Sequence, residues 1–366
     1  MSSGSKYLKA GRIDMYKILV INPGSTSTEI NLFEDETEVK SAQIVHPVAE
    51  LRQFKKVIEQ FPYRNNIVKS KLLEWEVKKG DLSAVVGRSG PRTRESGVFE
   101  VNQPMVDIVK SEKVRVEHPA ILGCILAKEI ADEYQIPAFV PYPPPIEWPR
   151  IASVSGIPAI NRRPAYHRQN IEAVAILAAS EMSIEVNDIR LVIAHLEGGM
   201  SIVAFEDGRV IDTTSAFDEG PFTMERSGSL PAGQVVEMCF SGEYTKEQVF
   251  KMLRGEGGMV AFLGINKVSD VESKIESGDK EAEFYLEAMC YQIAKDIGAM
   301  ATVLKGKVDA IILTGKILDS KRAVSWIRER VASIAPVKTY PEQEAIVFAR
   351  AGLSVLRGDE KAKRYE

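Results

Sequence analysis

The chain of 366 residues is poor in cysteine: Cys124, Cys239 and Cys290 stand far apart, each in an apolar setting. No Cys-x-x-Cys pair and no Cys/His cluster occurs, so neither a zinc site nor a disulfide framework is indicated. Three buried, reduced thiols are expected instead. No apolar run approaches the ~20 residues needed to span a bilayer. The opening "MSSGSKYLKAGRID" lacks the apolar stretch of a secretory leader, so residues 1–14 read as a disordered extension and the protein as cytoplasmic. An excess of positive charge is also missing. The formal net charge of −4 argues against a general nucleic-acid or membrane-surface binder, while leaving room for a local cationic pocket.

What is present is a repeated plan. "KILVINPGSTSTEINLFEDE" (17–36) and "LVIAHLEGGMSIVAFEDGRV" (191–210) each set two apolar stretches around a Gly-containing polar turn and run into an acidic turn. Phe33-Glu34-Asp35 and Phe205-Glu206-Asp207 match letter for letter. A chain this long exceeds one comfortable core, and two hairpins half a chain apart suggest a duplicated architecture. The turn glycines, Gly24 in the first and Gly198 and Gly199 in the second, let successive amides approach one anion. Ser25, Thr26 and Ser27 add hydroxyls there, Asn22 can offer its carbonyl to a hydrated metal, and His195 closes the strand of the second hairpin. Taken alone, each hairpin is equally readable as a plain polar turn.

Around the hairpins strand and helix patterns alternate, which predicts an α/β layer structure. Helices are expected over 50–61, 64–80 (closing at Gly80), after His118-Pro119, near 168–182, over 282–305 and near 343–356. Short strands are expected at "DLSAVVGRSG", "IPAFV" and "VDAIILTG". "PYPPPIEWPR" (141–150) holds five prolines in ten residues and must be an extended connector. The domains expected are 15–148 together with 345–366, and 149–344. Arg88 and Arg226 lie in glycine-flanked loops after strands, and phosphoryl transfer needs such cations where negative charge develops; loop arginines are also common solvent-facing ion-pair partners.

"ILVINPGSTST", "VGRSG", "EHPAILG", "SVSGIP", "RRPAYH", "VIAHLEGGMS", "GPFTMERSG", "CFSG", "YQIAK", "IILTG" and "LSVLRG", in this order, resemble the butyrate kinases. These form part of the acetate kinase branch of the acetate/sugar kinase, heat-shock ATPase and actin superfamily. The resemblance covers roughly residues 15–360. It implies two duplicated ribonuclease H-like (actin-like ATPase) α/β domains with an interdomain cleft, a final helix returning to the first domain, and a homodimer or larger even assembly. It implies ATP and Mg2+ as cofactors, and a short-chain carboxylate, butyrate first, as substrate. Acetate, propionate or a branched acid remains open, as does a nucleotide-binding relative without catalysis.

Residue by residue, the resemblance assigns Asn22, Gly24, Ser25 and Ser27 to the first phosphate loop and His195, Gly198 and Gly199 to the second. It gives Arg88 and Arg226 to the acyl carboxylate and the transferred phosphoryl, and matches His118 to the family's histidine after the first-domain loop, counted among the catalytic residues. His167 goes to the phosphoryl in flight, Gly315 to the adenosine strand, and Asn22 with Glu344 to the metal. Tyr142 stands where the family carries an aspartate, Glu197 where it carries a glycine, and Glu29 where a basic residue is usual. From these departures, Tyr142→Asp is expected to raise activity, and Glu197 to repel phosphate.

Overall fold

The computed structural model describes residues 15–24, 27–51, 53–91, 93, 95–111, 119–143, 146–216, 218–341 and 343–366. The extension 1–14, Ser25, Thr26 and His118 lie outside the described residues. The chain divides into two compact units: Ile146–Glu344, and the stretches on either side of it.

The strands are β1 (Lys17–Pro23), β2 (Ser27–Glu34), β3 (Thr37–Val45), β4 (Ala84–Gly87), β5 (Gly97–Glu100) and β6 (Ala138–Tyr142). They continue with β7 (Leu191–Leu196), β8 (Met200–Glu206), β9 (Arg209–Thr213), β10 (Ala310–Thr314), β11 (Val337–Thr339) and β12 (Lys363–Arg364). The first unit holds a sheet ordered β12-β5-β6-β4-β1-β2-β3, and the second a sheet ordered β11-β10-β7-β8-β9. In each, an antiparallel three-strand meander leads, and two further strands add parallel to its first.

The duplication extends to an irregularity. The β2/β3 register slips between Leu32 and Phe33, and the β8/β9 register between Ala204 and Phe205. An extra residue therefore bends both meanders at the same phenylalanine of the shared Phe-Glu-Asp, just before Asp35 and Asp207 turn the chain with φ of 51° and 53°. The first strand of each meander, β1 and β7, reads as an apolar run because both faces are covered. In the first unit one face packs on Val68, Leu72, Ile125, Leu126 and Ile130. The other packs on Phe348, Ala349 and Leu353 of the helix Glu344–Arg357, with Ile18, Val20, Val86 and Phe139 beneath.

The long helix Lys280–Val303 packs Leu286, Met289, Cys290, Ile293 and Ile297 into the second core, starting at an Asp279 cap. Two expected helices come out differently. The stretch 50–61 is not one helix: Val48–Leu51 is followed by a 3-10 turn Val57–Gln60, which runs into the next helix, Phe61–Glu74, with Pro62 in its first turn. That helix ends well before Gly80, since Glu76 takes φ 57° and Val77 N–H returns to Leu72 O, closing it without a glycine. The cysteine expectation also needs correction. Burial pushes the Cys124 and Cys290 thiols up to about 12, but Cys239 is exposed, on a helix that buries none of its residues. No helix among the described residues is long and apolar enough to cross a membrane.

Candidate active site

In the first unit, β1 brings Asn22 to its buried end, and Gly24 N–H closes the hairpin on Ser27 O at 2.8 Å. The Asn22 amide is oriented from both sides. Its Oδ1 accepts from Arg88 Nη1 at 2.9 Å, and its Nδ2 donates to Glu29 Oε2 at 3.3 Å. Asn22 and Arg88 are thus brought together, with Glu29 and Arg88 holding the amide between them. Arg88 follows β4, whose pairing its own N–H extends to Ile21 O. A Cβ on Gly87 would stand 2.3 Å from Gly123 O, so glycine there is what lets the strand end meet the start of the helix Leu122–Tyr134.

Behind this loop lies a residue the sequence reading did not single out. Arg64 is wholly buried, and its Nη1 donates to Ser27 O at 2.8 Å and Thr28 Oγ1 at 2.9 Å. Its Nε and Nη2 both reach Gln60 Oε1, at 3.1 and 3.0 Å. Burial lowers its pKa to about 10, which leaves it charged at neutral pH. The available signal was an arginine standing on the apolar stripe of Phe61, Val68 and Leu72. Beside it, His46 is within 2.8 Å of Thr28 Oγ1, and burial, with Arg64 adding to it, holds the imidazole down to about 4.

Tyr142 packs within the first unit. Its hydroxyl donates to Pro91 O at 2.7 Å, its ring meets Phe99 edge-on at 5.1 Å, and it packs on the first unit's apolar core. Burial raises its pKa far above the usual phenol value. A Cβ on Gly90 would stand 2.6 Å from the Tyr142 hydroxyl, so the second glycine of "VGRSG" is the space this tyrosine occupies. In this structure the Tyr142 side chain is a packing element, held by Pro91 O, Phe99 and the space above Gly90.

The second unit gathers most of the assigned residues. His195, fully buried at the end of β7, stacks on His167 with ring centroids 4.1 Å apart. His167 Nδ1 lies 2.8 Å from Ser201 Oγ, the residue opposite His195 in the hairpin. Asn170 Nδ2 lies 2.7 Å from His195 Nδ1, while His195 Nε2 has no hydrogen-bond partner. The Glu197 carboxylate stands 3.6 Å from that nitrogen, so its charge faces the imidazole rather than only the loop amides.

Arg226 lies across the second turn: a Cβ on Gly199 would stand 2.8 Å from its Cζ, whereas Gly198 borders open space. Thr223 Oγ1 donates to Gly198 O at 2.7 Å, tying the arginine's loop to the turn, and Arg226 Nη1 donates to Ala216 O. Burial, then Arg254, lowers the Arg226 pKa from the ordinary arginine value. Gly315, at φ 93°, ends β10 with its Cα so close that a Cβ would stand 2.7 Å from Leu196 O. Only glycine fits there, and the chain leaving β10 therefore abuts the end of β7. Glu344 is buried at the start of its helix. Among the described residues, no cluster of three or more His, Cys, Asp or Glu side chains could hold a metal.

The acetokinase family profile matches residues 159–353. Butyrate kinase 1 of Clostridium acetobutylicum is 41% identical over 356 residues, spanning 96% of this chain and all of that one. "Probable butyrate kinase 2" of Caldanaerobacter subterraneus subsp. tengcongensis is 43% identical over 354 residues, spanning 96% and 100%. The chain belongs to the acetokinase family. Its fold is that of solved family members: Porphyromonas gingivalis acetate kinase superposes with a TM-score of 0.73 at 16% identity, covering 93% of this chain and 100% of that one. A Francisella tularensis propionate kinase gives 0.68 at 17%, covering 92% and 99%. At these identities the neighbours speak for the acetokinase fold alone.

Proposed function

We propose that the chain is a butyrate kinase, transferring the γ-phosphoryl of ATP to butyrate to give butanoyl phosphate and ADP, reversibly. The observation that carries this reading is full-length kinship with proteins named butyrate kinases. A butyrate carboxylate oxygen attacks the γ-phosphorus in line, forming the acyl P–O bond as the bond to the ADP leaving oxygen breaks. Negative charge spreads over the phosphoryl oxygens, and catalysis is positioning plus electrostatics. Arg88 and Arg226 serve the carboxylate and phosphoryl, and His167 donates to the phosphoryl in flight. Gly24, Ser25 and Ser27 serve as the first phosphate loop, His195, Gly198 and Gly199 as the second, and Gly315 borders the nucleoside. His118 is proposed for the reaction centre.

Mg2+ is bound mainly by nucleotide phosphates and water in such sites, so a dedicated carboxylate cage is not required. Since Asn22 Oδ1 already accepts from Arg88, Asn22 and Glu344 would hold the ion through its waters, and the ion would neutralise phosphate charge. The test is a hydroxamate assay for acyl phosphate with ATP, Mg2+ and a series of short acids. Butyrate should give the highest kcat/KM, and preference for acetate or propionate would refute the substrate. Each methylene discriminates by only ~1–3 kcal/mol, so tenfold steps along the series are expected.

A homodimer through the second unit is also proposed. The helix Ala232–Phe240 is apolar yet buries none of its residues, with Phe240 87% and Val236 55% exposed. A face like this fits a second copy. Sedimentation velocity should give a dimer or larger even assembly for the unaltered protein and a smaller species for Phe240→Glu; a micromolar monomer would sink the idea.

A further inference from the structure

A histidine that meets phosphate as a neutral ring must present N–H rather than a lone pair, and the tautomer is set by what the other ring nitrogen meets. In this structure that partner is legible. Asn170 is 1% exposed, and its Oδ1 accepts the backbone N–H of Gln343 at 2.6 Å. A backbone N–H can only donate, so the amide cannot be flipped without facing two donors. Its NH2 group is thereby turned to His195 Nδ1 at 2.7 Å and to Thr314 Oγ1 at 3.2 Å, which uses both hydrogens.

We propose that Asn170 is a positioning residue that fixes neutral His195 as the Nε2–H tautomer, making the second phosphate loop's histidine an obligate hydrogen-bond donor. The inference rests on the kinase reading only for what His195 donates to, a phosphate oxygen of ATP. Three further observations agree. Of its two ring nitrogens, His195 Nε2 is the one without a hydrogen-bond partner, it is buried, and a nearby charged group is an acceptor, the Glu197 carboxylate at 3.6 Å. His167 differs: its Nδ1 meets Ser201 Oγ, a hydroxyl able to donate or accept, so its tautomer is not fixed in this way. The amide acts at a distance of one ring, and it touches no reacting atom.

The chain has four histidines, so imidazole 15N NMR can be assigned by single His→Gln variants at the other three positions. In the unaltered protein near neutral pH, His195 should show a protonated Nε2 and an unprotonated Nδ1. Asn170→Asp keeps the acceptor for Gln343 but places an acceptor against Nδ1. It should move the proton to Nδ1 or yield imidazolium, the latter favoured by the introduced carboxylate and Glu197 and opposed by any charge on stacked His167. Taking the donor from the neutral ring should lower kcat roughly 10²–10³-fold, the usual effect of losing one oxyanion donor, with KM for butyrate little changed. Nδ1 protonation in the unaltered protein overturns the proposal, and so does an Asn170→Asp variant with full kcat and an unmoved tautomer. Absence of any acyl phosphate from the unaltered protein would instead overturn the kinase reading, leaving the NMR result to stand by itself.

Discussion

Tyr142→Asp should destabilise the first unit by about 3–5 kcal/mol and bring no gain in activity. The magnitude follows from what the side chain touches. Losing the edge-on pairing with Phe99 costs about 0.5–1.5 kcal/mol. Withdrawing the hydroxyl from Pro91 O, which then lacks a donor, costs about 1–2 kcal/mol. The half-buried ring contributes about 1–2 kcal/mol of apolar transfer, and a carboxylate placed against an acceptor carbonyl gains nothing in return. Tyr142→Phe isolates the hydroxyl and should cost about 1 kcal/mol. Because two compact units need not unfold together, the assay is urea-dependent hydrogen exchange read on peptides from β1, β4 and β6. Protection there should fall for Tyr142→Asp while peptides from β7 and β10 keep theirs. Wild-type protection combined with a gain in turnover would place the side chain at the reaction centre and refute the packing argument.

Acid should weaken the first unit through His46. Its folded pKa, about 4, lies below the unfolded value near 6.5, so the unfolded chain binds the extra proton between those values. Stability is therefore whole above pH 6.5 and falls by about 2–3 kcal/mol as pH drops toward 4; a His46→Gln variant showing the same slope in pH-dependent denaturation would exclude His46 as the cause. Arg64→Met removes donors from Ser27 O, Thr28 and Gln60 and should cost about 3–5 kcal/mol with weaker ATP binding, read by denaturation and calorimetry; unchanged values for both would refute a bracing role. Gly315→Ala meets Leu196 O at 2.7 Å and a φ of 93°, so a loss of about 2–4 kcal/mol or more is expected by thermal melting, and a neutral substitution would show that the close approach is not obligatory.

The hairpins were legible because alternating apolar residues and acidic turns are local, and so was the long helix with its apolar stripe. The division of 50–61 and the early helix end were not. One depends on reading Pro62 as a beginning rather than a stop, the other on Glu76 in a left-handed conformation that glycine usually takes. At the candidate site, His167, His195, Arg88 and Arg226 were assigned by resemblance. Which partner orients each of them depends on contacts across the fold: Asn170 owes its orientation to an amide 173 residues onward. Tyr142 shows the converse, since its motif position suggested chemistry while its side chain fills a core.

The helix Glu344–Arg357 and strand β12 complete the first unit's sheet, yet they are made last among its parts. On a ribosome, residues 146–344 emerge before either arrives, and they form a unit contiguous in sequence. Until then Ile18, Val20, Val86 and Phe139 lack the cover of Phe348 and Leu353. The later unit can thus settle while the earlier one still waits with one greasy face bare, a condition that invites aggregation or a chaperone's attention. Truncation near residue 344 should therefore yield an insoluble first half attached to a folded second half.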